Sequence, residues 1–421
     1  MEDYLPRLIE AKIQDKLESA GGIVIEGPKW CGKSTTAKRF AKTVVDLQKP
    51  STFKKYKVFS DMGDEHLLQG EKPLMFDEWQ KIPDIWDYIR ADIDEQRGKG
   101  LYILTGSAKP LENADRHSGT GRIIHVKMLT MSLWESKEST GEVSLGELFK
   151  GKKSISGAND YTLGKIAYLV CRGGWPDSVG KTAEKALSAA RDYIVSLVET
   201  DITSVDGIKR NPARARAILR AYARNISTPA RLATIQGDIE ANDAVLDSRT
   251  LDSYLSAFEK LFVISDLDVW SPKLRSKTAL RTTNVRQFTD PSIAVAVLEA
   301  SPDDLINDLN TFGLLFESLC IRDLRVYAES LGGQIFQYRD ADGLEADAIV
   351  HLYNGSWGAI EIKLGGDENI ELGATHLLAL KRKVDTEKMR EPSFLMILTA
   401  GQYAYRRPDG VSVVPIACLR A

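Results

Sequence analysis

Residues 27–34 read Gly-Pro-Lys-Trp-Cys-Gly-Lys-Ser, which matches the phosphate-loop pattern GxxxxGK(S/T). The apolar run 22–26 predicts a strand before this loop, and a helix is expected after it from Lys33 to Lys42. The two glycines let backbone N–H groups curl around phosphates, and the helix adds its positive end. A chance match in a loop rich in Gly and Lys is the alternative, which the strand–loop–helix context disfavours.

Each residue type in this loop fits one part of a nucleoside triphosphate and its Mg²⁺. Lys33 would reach the β- and γ-phosphates, and the Ser34 hydroxyl would ligate the metal. The sequence therefore predicts a site for ATP and Mg²⁺. The expected nucleotide-binding residues are Gly27, Gly32, Lys33, Ser34, Thr35 and, after a later strand, Ser107.

Two acidic residues end the next buried strand. The apolar run 74–76 leads into Asp77, which is placed to hold Mg²⁺ through its hydration shell, and Glu78 would polarise the attacking water. Ser107 follows a third strand, 101–105, on the same sheet edge, where parallel sheets bind ligands and where a hydroxyl would sense the γ-phosphate. Ordinary turn chemistry is the alternative for both motifs.

The composition is that of an ordinary globular protein. The 421 residues are 43% hydrophobic and 27% charged, which excludes a disordered or fibrous chain and suggests two or three domains. The net charge of −3 excludes a globally basic coat for nucleic acid. The four cysteines show no CxxC spacing, so we expect reduced thiols and no structural zinc. We also expect no membrane span, no signal peptide and a cytoplasmic location.

The pattern of the chain changes twice along its length. Strands alternate with helices in the first part, which predicts a parallel α/β sheet. A Gly-, Ser- and Lys-rich stretch at 141–157 marks a boundary, and the chain is then mainly helical to about residue 300. A long helix (312–330) and two alternating strands near 345–352 and 357–364 follow. The predicted domains are 1–150, 151–300 and 301–421.

The order of these motifs resembles that of the AAA-type ATPases of a large prokaryotic family. In that family an ATPase core precedes a winged helix and a C-terminal domain of long-unknown function. The motifs that carry the resemblance are the phosphate loop, Asp-Glu-Trp-Gln at 77–80, Leu-Thr-Gly-Ser at 104–107, Gly-Arg at 121–122, Cys-Arg-Gly-Gly-Trp-Pro at 171–176 and the closing strand 409–415. The phosphate loop is specific, and the later motifs are individually loose.

Arg122 matches the arginine that follows the third strand in this family. The resemblance implies that Arg122 stabilises charge in the transition state, and a trans-acting role would require an oligomer. A structural salt bridge is the alternative.

Two basic stretches mark the middle domain. Residues 207–231 hold seven Lys or Arg and no acid, and residues 273–286 hold five without an acid. Arg216, Arg220 and Arg224 are spaced to share one helix face. A helix followed by a basic hairpin suggests a winged helix that contacts the phosphates of double-stranded DNA. The alternatives are a protein-docking or lid domain, and plain solvated faces.

A group of two carboxylates and a lysine lies near the C-terminus. Asp347 precedes Glu361 by 14 residues, and Glu361 and Lys363 share one face of an alternating strand. At the end of a hairpin they would hold Mg²⁺ and activate water against a phosphodiester. Glu317, on an apolar helix stripe upstream, is expected to face the same site. Cross-strand Glu–Lys pairing without activity is the alternative.

This group resembles that of the restriction-endonuclease-like PD-(D/E)xK nucleases. The resemblance implies Asp347 and Glu361 as metal ligands and Lys363 as a third catalytic residue. The proline that precedes the catalytic Asp in those nucleases is replaced by Ala346. The nuclease fold is therefore implied more firmly than the activity.

Taken together, the predicted architecture is α/β: a P-loop AAA-type ATPase core, a helical winged-helix middle domain and a C-terminal α/β restriction-endonuclease-like domain. The predicted function is Mg²⁺-dependent ATP hydrolysis that acts on DNA through the winged helix and the nuclease-like domain. The alternative is a nucleotide-dependent switch or scaffold whose nuclease-like domain is inactive and binds a protein partner, and a P-loop kinase ranks third. The expected catalytic residues are Glu78, Arg122, Asp347, Glu361 and Lys363, and the expected metal ligands are Ser34, Asp77, Asp347 and Glu361.

Overall fold

A computed structural model describes residues 4–107, 119–242, 246–271, 283–384 and 389–421. Its N-terminal part contains a five-stranded parallel sheet. The strands are β1 (Gly22–Glu26), β2 (Thr43–Asp46), β3 (Leu74–Asp77), β4 (Tyr102–Gly106) and β5 (Ile123–Lys127). They lie in the order β2-β3-β4-β1-β5, so β4 separates the strand before the phosphate loop from the strand that ends in Asp77. The predicted parallel α/β core is confirmed.

Helices cover both faces of this sheet, which is why its central strands are apolar throughout. Alternating side chains divide the core in two, with Ile23 and Ile25 of β1 on one face and Val24 on the other. The predicted helix after the phosphate loop is shorter than expected, because it ends at Lys38 rather than Lys42. The helices are α1 (Glu10–Ser19), α2 (Lys33–Lys38), α3 (Pro50–Met62) and α4 (Ile85–Gln96), with 3-10 turns at Glu65–Leu68 and Trp79–Lys81.

The middle of the chain is mainly helical. Asn211 begins its most basic helix, because the side-chain oxygen accepts the backbone N–H groups of Ala213 and Arg214. A π-helical turn, Leu197–Asp201, interrupts one helical run. The helices are α5 (Leu145–Phe149), α6 (Leu163–Arg172), α7 (Ala183–Ser196), α8 (Ile202–Ser204), α9 (Pro212–Arg224), α10 (Leu232–Asn242), α11 (Ser248–Lys260), α12 (Pro291–Leu298) and α13 (Pro302–Asn307), with a 3-10 turn at Pro176–Ser178.

The segment after α11 forms two antiparallel bridges, Ile264 with Phe288 and Leu267 with Val285. The two arms of a hairpin therefore follow helices α9, α10 and α11. Residues 272–282, which lie between these two arms in the sequence, are outside the described residues. Four of the five basic residues predicted for the second basic stretch fall there: Lys273, Arg275, Lys277 and Arg281.

The C-terminal part combines a long helix, a hairpin-rich sheet and a second helix. Its elements are α14 (Leu309–Ser330), β8 (Gly333–Arg339), β9 (Glu345–Leu352), β10 (Trp357–Lys363), α15 (Asp367–Lys383), β11 (Leu395–Thr399), β12 (Tyr403–Arg406), β13 (Ser412–Pro415) and β14 (Leu419–Arg420), with a 3-10 turn at Ile416–Cys418. β8, β9 and β10 are antiparallel neighbours, and β10 pairs in parallel with β11. The order of elements is therefore helix, three antiparallel strands, helix, parallel strand.

Two short strands from the predicted boundary region join the C-terminal part. These are β6 (Val143–Ser144), which pairs with β14, and β7 (Gly157–Ala158), which pairs with β12 at the edge of the seven-stranded sheet. The sheet order is β7-β12-β13-β11-β10-β9-β8. Residues 143–158, which follow the N-terminal part, therefore pair with strands near the end of the chain. Within the described ranges, no helix is long and apolar enough to cross a membrane.

Candidate functional sites

The phosphate loop is held in a conformation that requires its glycines. Gly27 has a φ of 155°, and a Cβ there would lie 2.0 Å from the carbonyl oxygen of Met128. Gly32, with a φ of 98°, is the left-handed residue at which α2 begins. A side chain at position 27 would collide with backbone that cannot give way, so the loop shape depends on this glycine.

Lys33 is buried and folded over its own loop. Its ammonium donates to the carbonyl oxygens of Gly27 at 2.9 Å and Pro28 at 2.7 Å. The cation therefore lies at the turn where the phosphate-loop pattern predicts phosphate oxygens.

The strand-end acid Asp77 lies directly beside the loop. The hydroxyls of Ser34 and Thr105 both donate to Asp77 Oδ1, each at 2.6 Å. Asp77 is buried, and the parallel register places it opposite Thr105 on β4. The structure thus joins the predicted metal ligands Ser34 and Asp77 and adds Thr105, which was not among the predicted site residues. Hydroxyl and carboxylate oxygens are donors that Mg²⁺ prefers.

Glu78 is oriented by two neighbours. Its backbone is left-handed, with a φ of 57°. The Ser107 hydroxyl donates to Glu78 Oε2 at 3.1 Å, and the Gln80 amide donates to the same oxygen. Ser107 is therefore at the predicted sheet edge, where it holds the carboxylate that was expected to act on water.

Arg7 supports the loop from outside any motif. Its buried guanidinium donates to the carbonyl oxygens of Cys31 and Leu129, each at 2.8 Å, and to Glu135 at 3.1 Å. Nothing in the local sequence around Arg7 points to this role, because its partners lie 24 to 128 residues away.

The outer tip of the phosphate loop contacts the middle domain. The Lys29 ammonium lies 2.5 Å from Asp201 Oδ1, in the π-helical turn, and Asp201 is buried. Trp30 is 49% exposed, and its ring stands edge-on to Tyr193 of α7 at 5.7 Å between centroids. Two of the four loop residues that the motif leaves free to vary therefore contact α7 and the turn after it.

The structure does not bring Arg122 to the phosphate loop. Ile123, the next residue, pairs with Gly22, so Arg122 lies where the parallel strands begin. The phosphate loop follows the other end of β1, about 16 Å along the strand. The Arg122 guanidinium instead contacts Asp94 of α4 at 2.6 Å. The geometry supports the structural salt bridge, and an action of Arg122 on this chain's own nucleotide is not supported.

The predicted C-terminal residues do converge. The Lys363 ammonium lies 2.6 Å from Glu361 Oε2 and 3.3 Å from Asp347 Oδ2. Asp347 Oδ2 also accepts the backbone N–H of Ile362 at 2.7 Å. Although burial lowers the pKa of an ammonium, these two carboxylates raise the pKa of Lys363 above its ordinary value. Lys363 is therefore protonated at neutral pH.

The pKa values of two carboxylates, Glu361 in this group and Glu317 nearby, are raised. Burial, then the Asp347 carboxylate, raise the pKa of Glu361 to about 8, against the opposing effect of Lys363. Burial and Asp347 likewise raise the pKa of Glu317, on α14, well above its usual range. Glu317 is therefore within electrostatic reach of Asp347, Glu361 and Lys363. Within the described ranges, no three or more His, Cys, Asp or Glu side chains converge in metal-holding geometry.

The basic face of α9 is neutralised by acids. Arg216 contacts Glu199 at 3.0 Å, Arg220 contacts Glu299 at 3.1 Å, and Arg224 contacts Asp238 at 2.7 Å. The three arginines share one face as the spacing predicts, and they line a groove of about 420 Å³. Their charges are already paired, which weakens the expectation of phosphate contact at this face.

A buried network connects the three parts of the chain at the Gly-Gly-Trp-Pro motif. Asp290 contacts Arg322 of α14 at 3.2 Å and accepts hydrogen bonds from the Thr130 hydroxyl at 2.7 Å and the Gly174 N–H at 2.9 Å. Although burial raises the pKa of Asp290, the Arg322 guanidinium and these donors hold it below its usual value. The loose sequence motif therefore has a packing role between the three parts of the chain.

Comparisons with known families match three successive segments. Residues 20–137 match an AAA domain, residues 164–304 match a domain of unknown function, DUF8612, and residues 312–419 match another, DUF4143. No curated protein matches the chain.

Two solved structures resemble parts of the fold. A Walker-type ATPase of Pyrococcus abyssi aligns at 15% identity, with 70% of this chain and 96% of that chain covered and a TM-score of 0.41. C. elegans PCH-2 aligns at 16% identity, with 60% of this chain and 65% of that chain covered and a TM-score of 0.20.

The AAA match covers the phosphate loop, Asp77 and the whole β1–β5 sheet. The N-terminal part is therefore a P-loop domain of the AAA ATPase type, and the predicted ATP binding is confirmed at that level.

Proposed function

We propose that the N-terminal domain hydrolyses ATP with Mg²⁺. The observation that carries this proposal is the convergence of the Ser34 and Thr105 hydroxyls on one oxygen of Asp77, beside the phosphate loop. Ser34 and Asp77 would hold the metal, which neutralises charge on the phosphate oxygens when bound. These oxygen donors fit Mg²⁺ in both type and position.

The other loop residues bind the phosphates. Backbone N–H groups between Gly27 and Gly32 would cradle them, and Thr35 would add a contact at the start of α2. Lys33 would exchange its two carbonyl acceptors for phosphate oxygens, which carry full negative charge and are stronger acceptors.

Glu78 would orient the attacking water, with Ser107 and Gln80 fixing the carboxylate. In this arrangement Ser107 responds to the γ-phosphate through Glu78. Arg122 is left with a structural role in this chain, and a role on a neighbouring copy would require an oligomer.

Steady-state ATP hydrolysis tests the proposal. Lys33→Ala should lower turnover by at least about 100-fold, because a charge that stabilises the transition state is lost. Lys38→Ala removes an exposed lysine from the same helix and should leave turnover near wild type. Equal turnover in wild type and Lys33→Ala would rule out hydrolysis at this loop.

We further propose that the C-terminal domain is a restriction-endonuclease-like, metal-dependent nuclease. The contacts of Lys363 with both Asp347 and Glu361, next to Glu317, support this. The order helix, three antiparallel strands, helix, parallel strand supports the fold. Asp347 and Glu361 would hold Mg²⁺. Because Lys363 is protonated, it would stabilise charge on the phosphate rather than remove a proton from water.

Double-stranded DNA is the proposed substrate, with the middle domain as a winged helix. Helices α9, α10 and α11 followed by two hairpin arms support this arrangement. The pairing of Arg216, Arg220 and Arg224 with acids makes the α9 face a poor phosphate contact, so any DNA contact would use other residues.

Plasmid cleavage in Mg²⁺ or Mn²⁺, with and without ATP, tests the nuclease. Cleavage should be lost in Lys363→Ala and kept in Lys381→Ala, which removes an exposed lysine of α15. Sensitivity to Lys33→Ala would show that ATP controls cleavage. No cleavage under any condition, with ATP still hydrolysed, would favour the alternative.

That alternative is a nucleotide-dependent switch or scaffold whose C-terminal domain binds a protein partner. The contacts of Lys29 and Trp30 with the middle domain favour it, because they place the phosphate loop against Asp201 and Tyr193. Nucleotide binding would then bias the position of α7 without any nuclease step.

A further inference from the structure

Glu361 and His376 present two buried polar atoms to each other. Glu361 Oε1 and His376 Nδ1 are 3.5 Å apart, and within the described part of the chain neither has a hydrogen-bond partner. The Glu361 side chain is only 1% exposed. Buried polar atoms are normally satisfied, so two such atoms facing each other call for an explanation.

The separation fits neither a direct hydrogen bond nor a bridging water, and it is within the range of an ion pair if the imidazole is protonated. At 3.5 Å the pair exceeds the usual N–H···O distance of roughly 2.7–3.2 Å. A water that bridges two groups lies about 2.8 Å from each and leaves them about 4.5 Å apart. A metal ion about 2.1 Å from a nitrogen and an oxygen leaves these atoms about 3.0–3.4 Å apart at ordinary coordination angles. The observed distance is closest to this last arrangement.

The fold brings α15 close to Glu361. A Cβ at Gly373 would lie 3.4 Å from the Glu361 Cβ, so the absence of a side chain lets the helix pack against this part of β10. His376 lies three residues further along, on the same helix face. The His376 side chain as a whole is 32% exposed, although its Nδ1 is buried against the carboxylate.

The two oxygens of Glu361 have different surroundings. Oε2 faces Lys363, which also contacts Asp347, whereas Oε1 faces His376. Lys363 therefore compensates the charge on Oε2, whereas Oε1 is buried and faces only the imidazole nitrogen at 3.5 Å.

We propose that Glu361 and His376 are two ligands of a divalent metal site that prefers Mn²⁺ to Mg²⁺. Imidazole nitrogen suits transition metals, whereas Mg²⁺ favours oxygen alone. Two protein ligands leave positions for water or a phosphate oxygen. The proposal rests on the proposed C-terminal site in sharing Glu361, and it gives that site a metal preference and a ligand, His376, that its sequence motif does not contain.

Mn²⁺ titration of the nucleotide-free full-length protein, followed by the EPR signal of free Mn²⁺, tests this site. The Asp77→Asn background removes binding at the phosphate loop. His376→Ala and Glu361→Gln should each weaken the remaining site by at least about 10-fold. His351→Gln is the matched control, because His351 lies on β9 against Trp270 and should leave binding unchanged.

A second variant separates ligation from packing. His376→Asp restores an oxygen ligand, so it should recover binding and shift the preference towards Mg²⁺, while His376→Ala should not. Wild-type Mn²⁺ affinity in His376→Ala would overturn the proposal, and so would equal loss in His376→Ala and His376→Asp with the fold intact by circular dichroism.

Failure of the nuclease proposal and failure of the metal-site proposal give different results. Mn²⁺ binding that depends on His376, with no plasmid cleavage, would retain the metal site and reject the nuclease. Cleavage that requires Lys363, with Mn²⁺ binding indifferent to His376, would retain the nuclease and reject the metal site.

Discussion

Asp77 in the N-terminal domain and Glu361 in the C-terminal domain are both buried carboxylates on strands, and their surroundings differ. Asp77 accepts two hydroxyl hydrogen bonds on one oxygen. Glu361 contacts Lys363 with one oxygen and faces His376, at 3.5 Å, with the other. Neutral hydroxyl donors stabilise the negative charge of Asp77, whereas the negative charge of Glu361 is only partly compensated.

The difference suggests two ways of building a metal-dependent site. The phosphate loop is organised before ligand arrives, because Arg7, Asp77 and Glu78 are all fixed by hydrogen bonds. The C-terminal group is a set of charges that a cation would complete. Substitutions at the first site should therefore affect turnover most, and those at the second should affect metal binding and pH dependence most.

The largest expected effect is at Glu78. Glu78→Gln keeps the shape of the side chain and removes the charge that orients water, so turnover should fall about 10²- to 10³-fold with ATP binding retained. Turnover and nucleotide affinity, measured separately, check this. Loss of binding equal to the loss of turnover would mean that Glu78 holds the loop rather than the water.

Arg7 should matter next, through the shape of the loop. Arg7→Ala leaves Glu135 buried without its cation and Cys31 O without its donor, at a cost of about 3 kcal/mol. Thermal unfolding and the KM for ATP should both change. Arg39→Ala, in the same corner but exposed, is the control. An unchanged KM in a folded Arg7→Ala variant would leave Arg7 with a stabilising role only.

The pH dependence of stability should reveal the incomplete charge compensation at Glu361. Its folded-state pKa, about 8, is above the ordinary value of 4.5, so the folded state binds this proton more tightly than the unfolded state does. The protein should lose stability, on the order of 4 kcal/mol, as pH rises from 4.5 to 8.

Thermal unfolding in EDTA at pH 5 and pH 8 measures this effect. Glu361→Gln should remove much of the loss of stability that wild type shows between pH 5 and pH 8. Glu371→Gln is the control, because Arg407 lowers the pKa of Glu371 and keeps it ionised at both. The same pH dependence of stability in Glu361→Gln as in wild type would contradict the raised pKa of Glu361.

Lys29→Ala should have a smaller effect, which concerns the response of residues 197–201 to ATP and not the rate of ATP hydrolysis. Lys29→Ala breaks the contact with Asp201, which is worth about 1 kcal/mol. ATP turnover should stay near wild type. Hydrogen exchange in residues 197–201 should respond to ATP in wild type and lose that response in the variant. An unaltered response would remove the main support for a switch through this contact.

The smallest effect is expected at Arg122. Its guanidinium contacts Asp94 at the end of the sheet where the parallel strands begin, whereas the phosphate loop lies at the end where they finish. Arg122→Ala should therefore leave turnover near wild type at low protein concentration. Turnover measured over a range of concentrations checks this. A loss that grows with concentration would indicate that Arg122 acts on a neighbouring copy.

Local patterns explain what could be predicted from the sequence. The phosphate loop depends on residues within one turn, and the face shared by Glu361 and Lys363 follows from strand alternation. Short polar strands such as β2 and β8 escaped prediction, because four to seven residues with few apolar positions resemble loops.

Long-range contacts explain the rest. Arg7, His376 and the Lys29–Asp201 pair depend on packing between distant segments, which no local pattern encodes. The position of Arg122 follows from a simple rule about parallel strands. A residue just before such a strand lies at the opposite sheet edge from one just after it, so Arg122 and Ser34 lie at different ends.

The most direct test of the N-terminal site is ATP hydrolysis at saturating ATP and Mg²⁺ in wild type, Asp77→Asn and Asp46→Asn. Asp46 ends the neighbouring strand β2 and pairs in register with Asp77, but its side chain accepts the N–H of Gln48 in a local turn. Asp77→Asn should lower turnover by about 100-fold or more, with Asp46→Asn close to wild type. Equal turnover in all three proteins would contradict a metal-dependent ATPase site organised around Asp77.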